Sequence, residues 1–133
     1  MTKRKAMENK KIHNATPAVY DGVQYRSKLE ARFARMLKEN GIDFEYEQEH
    51  WELVPKQRWM GKCVRPITYT PDFVIGDVVV EIKGFRDNVY LVKRKLVIKY
   101  ILEHRPEVTF VEAHTIGDMT KVIESIKSKQ EKQ

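Results

Sequence analysis

The spacing of apolar residues predicts two amphipathic helices, one in the first third of the chain and one near its end. The first begins after Ser27, which forms a capping-box pattern with Glu30, and ends at Asn40-Gly41. The second begins at Asp118 and fades into a polar tail. The residues predicted to face inward are Leu29, Phe33, Met36 and Leu37 in the first helix and Met119, Val122, Ile123 and Ile126 in the second.

The segments between these helices predict short strands and one further helix. Residues 42–47 alternate apolar and polar side chains, and 108–112 form a second short β-branched and aromatic run. Residues 48–66 contain both tryptophans and predict strands joined irregularly. Residues 89–104 predict a helix whose apolar side chains point in most directions, so we expect it to pack on more than one side, with a second subunit as one candidate.

Two extended runs, 68–75 and 78–83, flank Gly76-Asp77 and predict a β-hairpin, because a two-residue loop that starts with Gly closes tightly. In that register Asp72 lies opposite Glu81. Paired residues share a face and side chains alternate, so the hairpin has one apolar face and one mixed face. The apolar face carries Phe73, Ile75, Val78, Val80 and Ile82, and the other carries Val74, Val79, Asp72, Glu81 and Lys83.

The length of 133 residues suits one domain, which we place at residues 19–128. A polar tail follows at 129–133. Residues 1–18 hold five cations and few apolar side chains, which predicts a disordered basic arm that either binds phosphates or only solubilises the terminus. Between 19 and 128 no repeat or Gly/Ser-rich linker indicates a boundary.

The composition excludes several classes of protein. No apolar run approaches the ~18 residues that span a bilayer, and the basic start has no apolar stretch after it, so we expect a soluble intracellular protein. The single cysteine, Cys63, excludes an internal disulfide, and the four histidines form no ligand pattern. The chain has 25 Lys and Arg against 19 Asp and Glu, a net charge of +6. A polyanion is therefore the first partner to consider.

The mixed face of the hairpin carries the candidate chemistry. Two carboxylates opposite each other across a strand pair repel unless a cation lies between them, and hard oxygen ligands of this kind suit Mg²⁺. Lys83, on the same face, could orient a water or stabilise charge on a phosphate. Glu30 is a fourth candidate, although an N3 glutamate often serves only its own helix. The alternative for Asp72, Glu81 and Lys83 is a solvated face whose charges share a spacing by chance.

These residues resemble the signature of the PD-(D/E)XK nucleases. Pro71-Asp72 is followed, after eight residues, by Glu81-Ile82-Lys83, and Glu30 fits the acidic position on a preceding helix. Residues 27–86 further resemble the phage endonuclease I type of Holliday-junction resolvase. The segments that carry this likeness read SKLE, NGIDFEYE, YTPDF and VEIKG.

The resemblance implies an α/β fold with a restriction-endonuclease-like core, in which helices flank a central mixed β-sheet. It implies that Asp72, Glu81 and the carbonyl of Ile82 bind Mg²⁺, with Mn²⁺ able to substitute, that Glu30 helps to hold a second metal, and that Lys83 is the catalytic lysine. It also implies a C2 homodimer, which is intertwined in the phage resolvases, and a place in the bacterial host cytoplasm if the protein is encoded by a phage or prophage.

Three functions remain open at this point. The leading hypothesis is a Mg²⁺-dependent endonuclease that cuts branched DNA. The second is another nuclease on the same core, of restriction or repair-nicking type, and the third is a basic DNA-binding module without catalysis. Cations that follow the hairpin could hold phosphates or could only solvate a helix; they are Arg86, Lys93, Arg94, Lys95 and Lys99. Trp51 and Trp59 could stack on bases, or lie in a core or interface.

Overall fold

The computed structural model describes residues 16–84 and 87–131 and has an α/β fold. In this part of the chain there are three helices, α1 (Lys28–Glu39), α2 (Asn88–His104) and α3 (Ile116–Glu131). None of them is long and apolar enough to cross a membrane. The strands within the described ranges number ten: β1 (Ala18–Tyr20), β2 (Val23–Tyr25), β3 (Glu45–Tyr46), β4 (Trp51–Val54), β5 (Gln57–Trp59), β6 (Lys62–Val64), β7 (Ile67–Tyr69), β8 (Phe73–Ile75), β9 (Val78–Ile82) and β10 (Thr109–Ala113).

The largest sheet has four strands in the order β10-β9-β8-β3. β8 and β9 are antiparallel, and their partners are Phe73 with Val80, Val74 with Val79, and Ile75 with Val78. The turn between them places Gly76 at φ +60°, a conformation that Gly adopts without steric cost. The predicted hairpin and its register are therefore confirmed.

β9 and β10 run parallel. The N–H of Thr109 donates to the carbonyl of Asp77 at 2.8 Å, and the N–H of Lys83 donates to the carbonyl of Ala113 at 3.0 Å, so both strands advance in the same direction. Helix α2 connects them, which gives a βαβ crossover and makes the sheet mixed.

The strand predicted over 68–75 is divided into two. β7 ends at Tyr69 and pairs with β4 in a separate two-stranded sheet, and β8 starts at Phe73. Pro71 lies in the gap, and because proline has no N–H it cannot donate to a continuous ladder. The strand predicted over 42–47 is likewise shorter, since only β3 pairs and Glu47, at φ +53°, ends it.

The chain forms two compact units. The first comprises the described residues of Met1–Asp43, Ile82–Phe85 and Ala113–Gln133, and the second those of Phe44–Glu81 and Arg86–Glu112. In the first unit, α1 contacts the β1–β2 hairpin and α3. All four residues predicted to face inward on α3 are buried, as are Phe33 and Leu37 on α1, whereas Leu29 and Met36 are only partly buried.

The core of the second unit covers the face of the β8–β9 hairpin that carries Val74 and Val79. Both valines are buried, with aromatic side chains of the β4–β7 pair and aliphatic side chains of α2. The buried members of this cluster are Trp51, Tyr69, Val74, Val79, Val97, Ile101 and Val108. Since Phe73 and Val80 are fully buried as well, both faces of the hairpin are covered.

Residues 51–69 form a long β-ribbon. β4 pairs with β7 at its base and β5 pairs with β6 at its tip, with Pro55 and Pro66 between the two ladders. The tip turn places Met60 at φ +50° and Gly61 at φ +76°. Strands joined irregularly were predicted for 48–66, and this ribbon confirms them.

Helix α2 has one buried stripe, formed by Tyr90, Val97 and Ile101. Val89, Val92 and Leu102 are exposed, by 75%, 61% and 71%. Within the described chain, the helix is therefore covered on one side, and the expectation that a second subunit covers another side stays a prediction.

Candidate active site

Asp72 and Glu81 lie side by side at the edge of the second unit's core. Phe73 pairs with Val80 in the β8–β9 hairpin. Asp72 comes immediately before Phe73 and Glu81 immediately after Val80, so continuing the register by one position places the two acids opposite each other. Each is only 8% exposed. A carboxylate is costly to bury unless a cation or hydrogen-bond donors stabilise it, so the groups around this pair decide its chemistry.

The main chain holds Asp72 in place although Asp72 belongs to no strand. The N–H of Glu47 donates to the carbonyl of Asp72 at 3.0 Å. Pro71, just before it, is buried and has a fixed φ. The Pro-Asp pair in the sequence therefore corresponds to a rigid connection between β7 and β8.

Tyr69 supplies a hydrogen-bond donor to the acidic pair. Its hydroxyl donates to Oε1 of Glu81 at 2.5 Å. Burial, and after it the negative charges of Glu81 and Asp72, raise the pKa of Tyr69 far above its usual value. The phenol therefore stays neutral and acts as a hydrogen-bond donor to the Glu81 carboxylate.

A second tyrosine extends this polar network within the same unit. The Tyr90 hydroxyl donates to Oε2 of Glu112, and Nε of Arg94 donates to Oε1 of the same carboxylate at 3.0 Å. Burial raises the pKa of Tyr90, and its hydrogen bond to Glu112 and the charge of Glu81 act in the same direction. The acidic edge of the sheet is thus lined by two protonated phenols.

Glu30 lies in the first unit, on the buried face of α1, and is 6% exposed. On a helical wheel Glu30 lies just beside the stripe of Leu29, Phe33 and Leu37, which predicts a position at the edge of the buried face, whereas the buried positions of the helix include Glu30 itself. Its N–H donates to the Ser27 hydroxyl at 3.1 Å, and its carboxylate accepts the N–H of Arg26 at 3.3 Å. The helix-capping role considered for Glu30 is therefore present, and a metal role stays a prediction.

Lys83 and Ile82 also belong to the first unit. Besides the bond from Lys83 N–H to Ala113, the carbonyl of Lys83 accepts a hydrogen bond from Nδ1 of His114 at 2.6 Å. A carbonyl can only accept, so Nδ1 of His114 carries a proton. The main chain at Lys83 is fixed on both sides, which restricts where its ammonium group can reach.

The structure thus brings together Asp72 and Glu81 in one unit and holds Ile82 and Lys83 directly after Glu81 along the chain. Glu30 lies in the other unit from the acidic pair. That all four polar residues serve one centre is implied by the resemblance and stays a prediction.

A divalent metal fits the donor set of the acidic pair. Among the described residues no group of three or more His, Cys, Asp and Glu side chains is arranged to hold a metal. Mg²⁺, however, commonly takes only one or two carboxylates and completes its shell with water and substrate phosphate oxygens. Asp72 and Glu81 are hard oxygen donors of the kind it requires.

The basic residues of α2 differ in their surroundings. Arg94 forms its ion pair with Glu112, and Lys99 pairs with Glu103 at 2.7 Å. Lys95 is exposed and Lys93 partly so, while Arg86 lies outside the described residues. Of the five residues predicted to bind phosphates, Arg94 and Lys99 would have to break these ion pairs before they could bind DNA.

Tyr69, Tyr90 and His114 contact the candidate residues or their network, yet sequence reasoning did not single them out for a role. Tyr69 was part of the YTPDF segment, but its contact with Glu81 joins β7, which pairs with β4 in a separate sheet, to β9. His114 reaches Lys83 through the parallel β9–β10 pairing. No local pattern encodes either contact, and only the tertiary pairing reveals them.

Comparison with known proteins adds a family assignment. No curated protein and no solved structure matches the chain. Residues 9–112 match the family described as protein of unknown function DUF1064, and this segment includes Glu30, Asp72, Glu81 and Lys83. Since the match spans more than half of the sequence, the chain belongs to the DUF1064 family.

Proposed function

We propose that the protein is a divalent-metal-dependent DNA endonuclease of the PD-(D/E)XK type. The observation that carries the proposal is the register of β8 and β9, which sets two nearly buried carboxylates opposite each other beside the Tyr69 hydroxyl. Metal-assisted phosphodiester hydrolysis uses such a pair. The restriction-endonuclease-like core is part of the same proposal, supported by a mixed sheet with a helical crossover.

In this proposal Asp72, Glu81 and the Ile82 carbonyl hold Mg²⁺, or Mn²⁺ in its place. The bound ion would polarise the scissile phosphate and lower the pKa of a water. Tyr69 fixes the orientation of the Glu81 carboxylate through its hydrogen bond. Lys83 aligns the attacking water or stabilises negative charge on the phosphate, and Glu30 supports a second metal.

The proposed substrate is branched DNA, as in the phage resolvases that the motif segments resemble. A net charge of +6 favours a polyanionic substrate. Cutting both strands of a junction symmetrically requires two sites related by a two-fold axis, so the proposal includes a C2 homodimer. Subunit mixing distinguishes an intertwined dimer, as in those resolvases, from one in which each site belongs to a single chain. The proposal also includes a cytoplasmic location.

The test is incubation of the full chain with a four-way junction and with a duplex of matched sequence, each with Mg²⁺ and with EDTA. We expect cleavage of the junction that depends on Mg²⁺ and is absent in EDTA. Equal cleavage of the duplex would favour a restriction-type or nicking nuclease. Binding without cleavage under any divalent metal would support the non-catalytic basic module instead.

A further inference from the structure

The tip of the β-ribbon is exposed throughout. Every residue from 55 to 65 is solvent-exposed, although the base of the same ribbon is part of the core. The two tryptophans show the contrast, since Trp51 at the base is 2% exposed and Trp59 at the tip is 67% exposed. The tip thus contributes nothing to the described core, and its side chains are available for another purpose.

The tip is also uniformly basic. Residues 55–66 contain four cations and no Asp or Glu; the cations are Lys56, Arg58, Lys62 and Arg65. By contrast, the exposed Lys99 and the half-buried Arg105 have carboxylate partners. A cluster of cations without acidic residues in the same segment is complementary to a polyanion.

The apolar residues at the tip specify the kind of polyanion. Trp59 and the adjacent Met60, which is 78% exposed, form its end. The strand register pairs Trp59 with Lys62, so the indole ring and an ammonium group share one face of the hairpin. Proteins that bind single-stranded nucleic acid combine a basic track for the phosphates with aromatic rings on which bases stack.

The base of the ribbon is firmly anchored. Trp51 stacks on Tyr100 with ring centroids 5.0 Å apart, lies under the Arg105 guanidinium, and donates from Nε1 to Glu49 at 2.9 Å. Its strand partner is Tyr69, the residue that donates to Glu81. One ribbon therefore carries the exposed tip and a residue of the candidate active site, with at most about 26 Å of extended strand between Trp51 and Trp59.

We propose that the ribbon tip is a nucleic-acid contact, in which Trp59 stacks on an unpaired base and the four cations bind the flanking phosphates. This inference rests on the proposed function, because it adds that the DNA substrate is also recognised through an unpaired base, at a place other than the acidic pair. Branch points and single strands offer unpaired base faces, whereas a blunt duplex offers them only at its ends.

The first experiment follows tryptophan emission of the full chain in EDTA, where cleavage does not interfere. Single-stranded oligonucleotide and four-way junction should quench the exposed Trp59, and blunt duplex should quench it less. Trp59→Phe leaves the buried Trp51 as the sole tryptophan, and its emission should not respond to DNA. Trp59→Ala should weaken binding of single-stranded DNA by roughly 5- to 100-fold, as expected for the loss of one stacked base.

The second experiment uses Cys63, the sole cysteine, which is exposed on β6. Single-stranded DNA should slow its alkylation by iodoacetamide, and poly-glutamate at equal charge should protect it much less.

Lys62→Ala should reduce the slope of log affinity for single-stranded DNA against log salt concentration by about one unit. The control is Lys121→Ala, an exposed lysine on α3, which should leave the slope unchanged.

The proposal is overturned if Trp59→Ala binds single-stranded DNA as tightly as the wild type, if DNA leaves Cys63 alkylation unchanged, or if poly-glutamate protects Cys63 equally well. These outcomes are independent of catalysis. Stacking by Trp59 without any metal-dependent cleavage would refute the proposed nuclease and retain the ribbon contact. If Trp59→Ala cleaves and binds DNA as the wild type does, the ribbon contact is refuted and the proposed nuclease is retained.

Discussion

The hydroxyl of Tyr69 donates a hydrogen bond to Glu81 Oε1 at 2.5 Å, and this contact joins two separate β-structures. Tyr69 belongs to β7 of the ribbon, whereas Glu81 belongs to β9 of the four-stranded sheet. The orientation of the acidic side chain is thus set by a neighbouring sheet. Removal of either carboxylate is the most direct test of what this arrangement does.

Asp72→Asn and Glu81→Gln should each abolish Mg²⁺-dependent cleavage while junction binding stays the same or tightens. Both substitutions nearly conserve shape but remove the charge that holds a divalent ion. Affinity comes mainly from Lys and Arg contacts with phosphates, so the loss of a nearby negative charge does not weaken it. Glu52→Gln, an exposed glutamate on β4, is the matched control and should cut at the wild-type rate.

The same variants can be examined without DNA. Mg²⁺ should raise the Tm of the wild type, since an ion that binds only the folded state stabilises it by about 2.7 kcal/mol at a hundredfold excess over Kd. The two variants should lose this shift, which calorimetry would detect. If the Asp72→Asn variant cleaves DNA at the wild-type rate, the proposed metal site is refuted.

Lys83→Ala should lower the cleavage rate by roughly 100-fold or more, the contribution typical of a positioned proton donor or acceptor. The fold should persist, because the hydrogen bonds that Lys83 forms with Ala113 and His114 use its main-chain N–H and carbonyl. Single-turnover rates at saturating enzyme separate this loss from weaker binding, with Lys121→Ala as the control. A rate within twofold of the wild type would exclude Lys83 from catalysis.

Glu30→Gln separates the capping role of this residue from a role at the metal. A glutamine oxygen can still accept the N–H of Arg26, so the free energy of unfolding should change little. If Glu30 supports a metal, cleavage should nevertheless fall sharply. Denaturant unfolding and cleavage assays on the same preparation decide between the roles, and full activity with unchanged stability would leave Glu30 as a cap alone.

Stability should decrease with pH above about 10 because of the buried tyrosines. The pKa of Tyr69 is raised by burial, so the folded state keeps its proton while the unfolded state loses it above the ordinary value of 10.0. The unfolded state then binds fewer protons, and the free energy of unfolding falls by about 1.4 kcal/mol per pH unit for this group.

Tyr69→Phe should make the fall less steep, by about half that amount per pH unit averaged over urea unfolding between pH 9 and 11, because an ordinary tyrosine is only half ionised at pH 10. Tyr100→Phe, the same substitution in the same aromatic cluster, is the control for loss of a hydroxyl. An unchanged slope in Tyr69→Phe would contradict the buried, neutral phenol.

Sedimentation equilibrium should give a particle of about twice the 15.8 kDa chain at micromolar concentration. Subunit mixing tests whether the dimer is intertwined. If Glu30 of one subunit serves the acidic pair of the other, a heterodimer of Glu30→Gln and Asp72→Asn has one intact site and should nick DNA. If each site is built from a single chain, the heterodimer should be inactive, and a monomer that cuts both strands would refute the dimer itself.

The hairpin of β8 and β9 could be predicted because local signals agree there. The Gly-X turn fixes the register and the alternation fixes the faces, so the opposition of Asp72 and Glu81 follows from the sequence. The break before β8 could not be predicted with the same information. β7 has alternation of its own, and its choice of β4 as partner depends on packing of Trp51, which is remote in sequence.

Glu30 shows the same limit for helices. A helical wheel assigns the buried face by polarity alone. It therefore predicts that Leu29 and Met36 lie within the buried face and that Glu30 lies at its edge. The structure buries Glu30 with Phe33 and Leu37, because packing neighbours decide which face of a helix is inside. A polar residue in a buried stripe is therefore the kind of residue that pattern analysis misplaces.

The turn at the end of the ribbon has an energetic consequence of its own. Met60 adopts a left-handed conformation, at φ +50°, that costs a side-chain-bearing residue about 1 kcal/mol, and tight hairpins usually place Asn or Asp before Gly there. Met60→Asn should therefore make the hairpin more stable than it is in the natural sequence. Methionine at this position makes the turn less stable than asparagine would, so the stability of the hairpin alone does not explain why Met60 is found there.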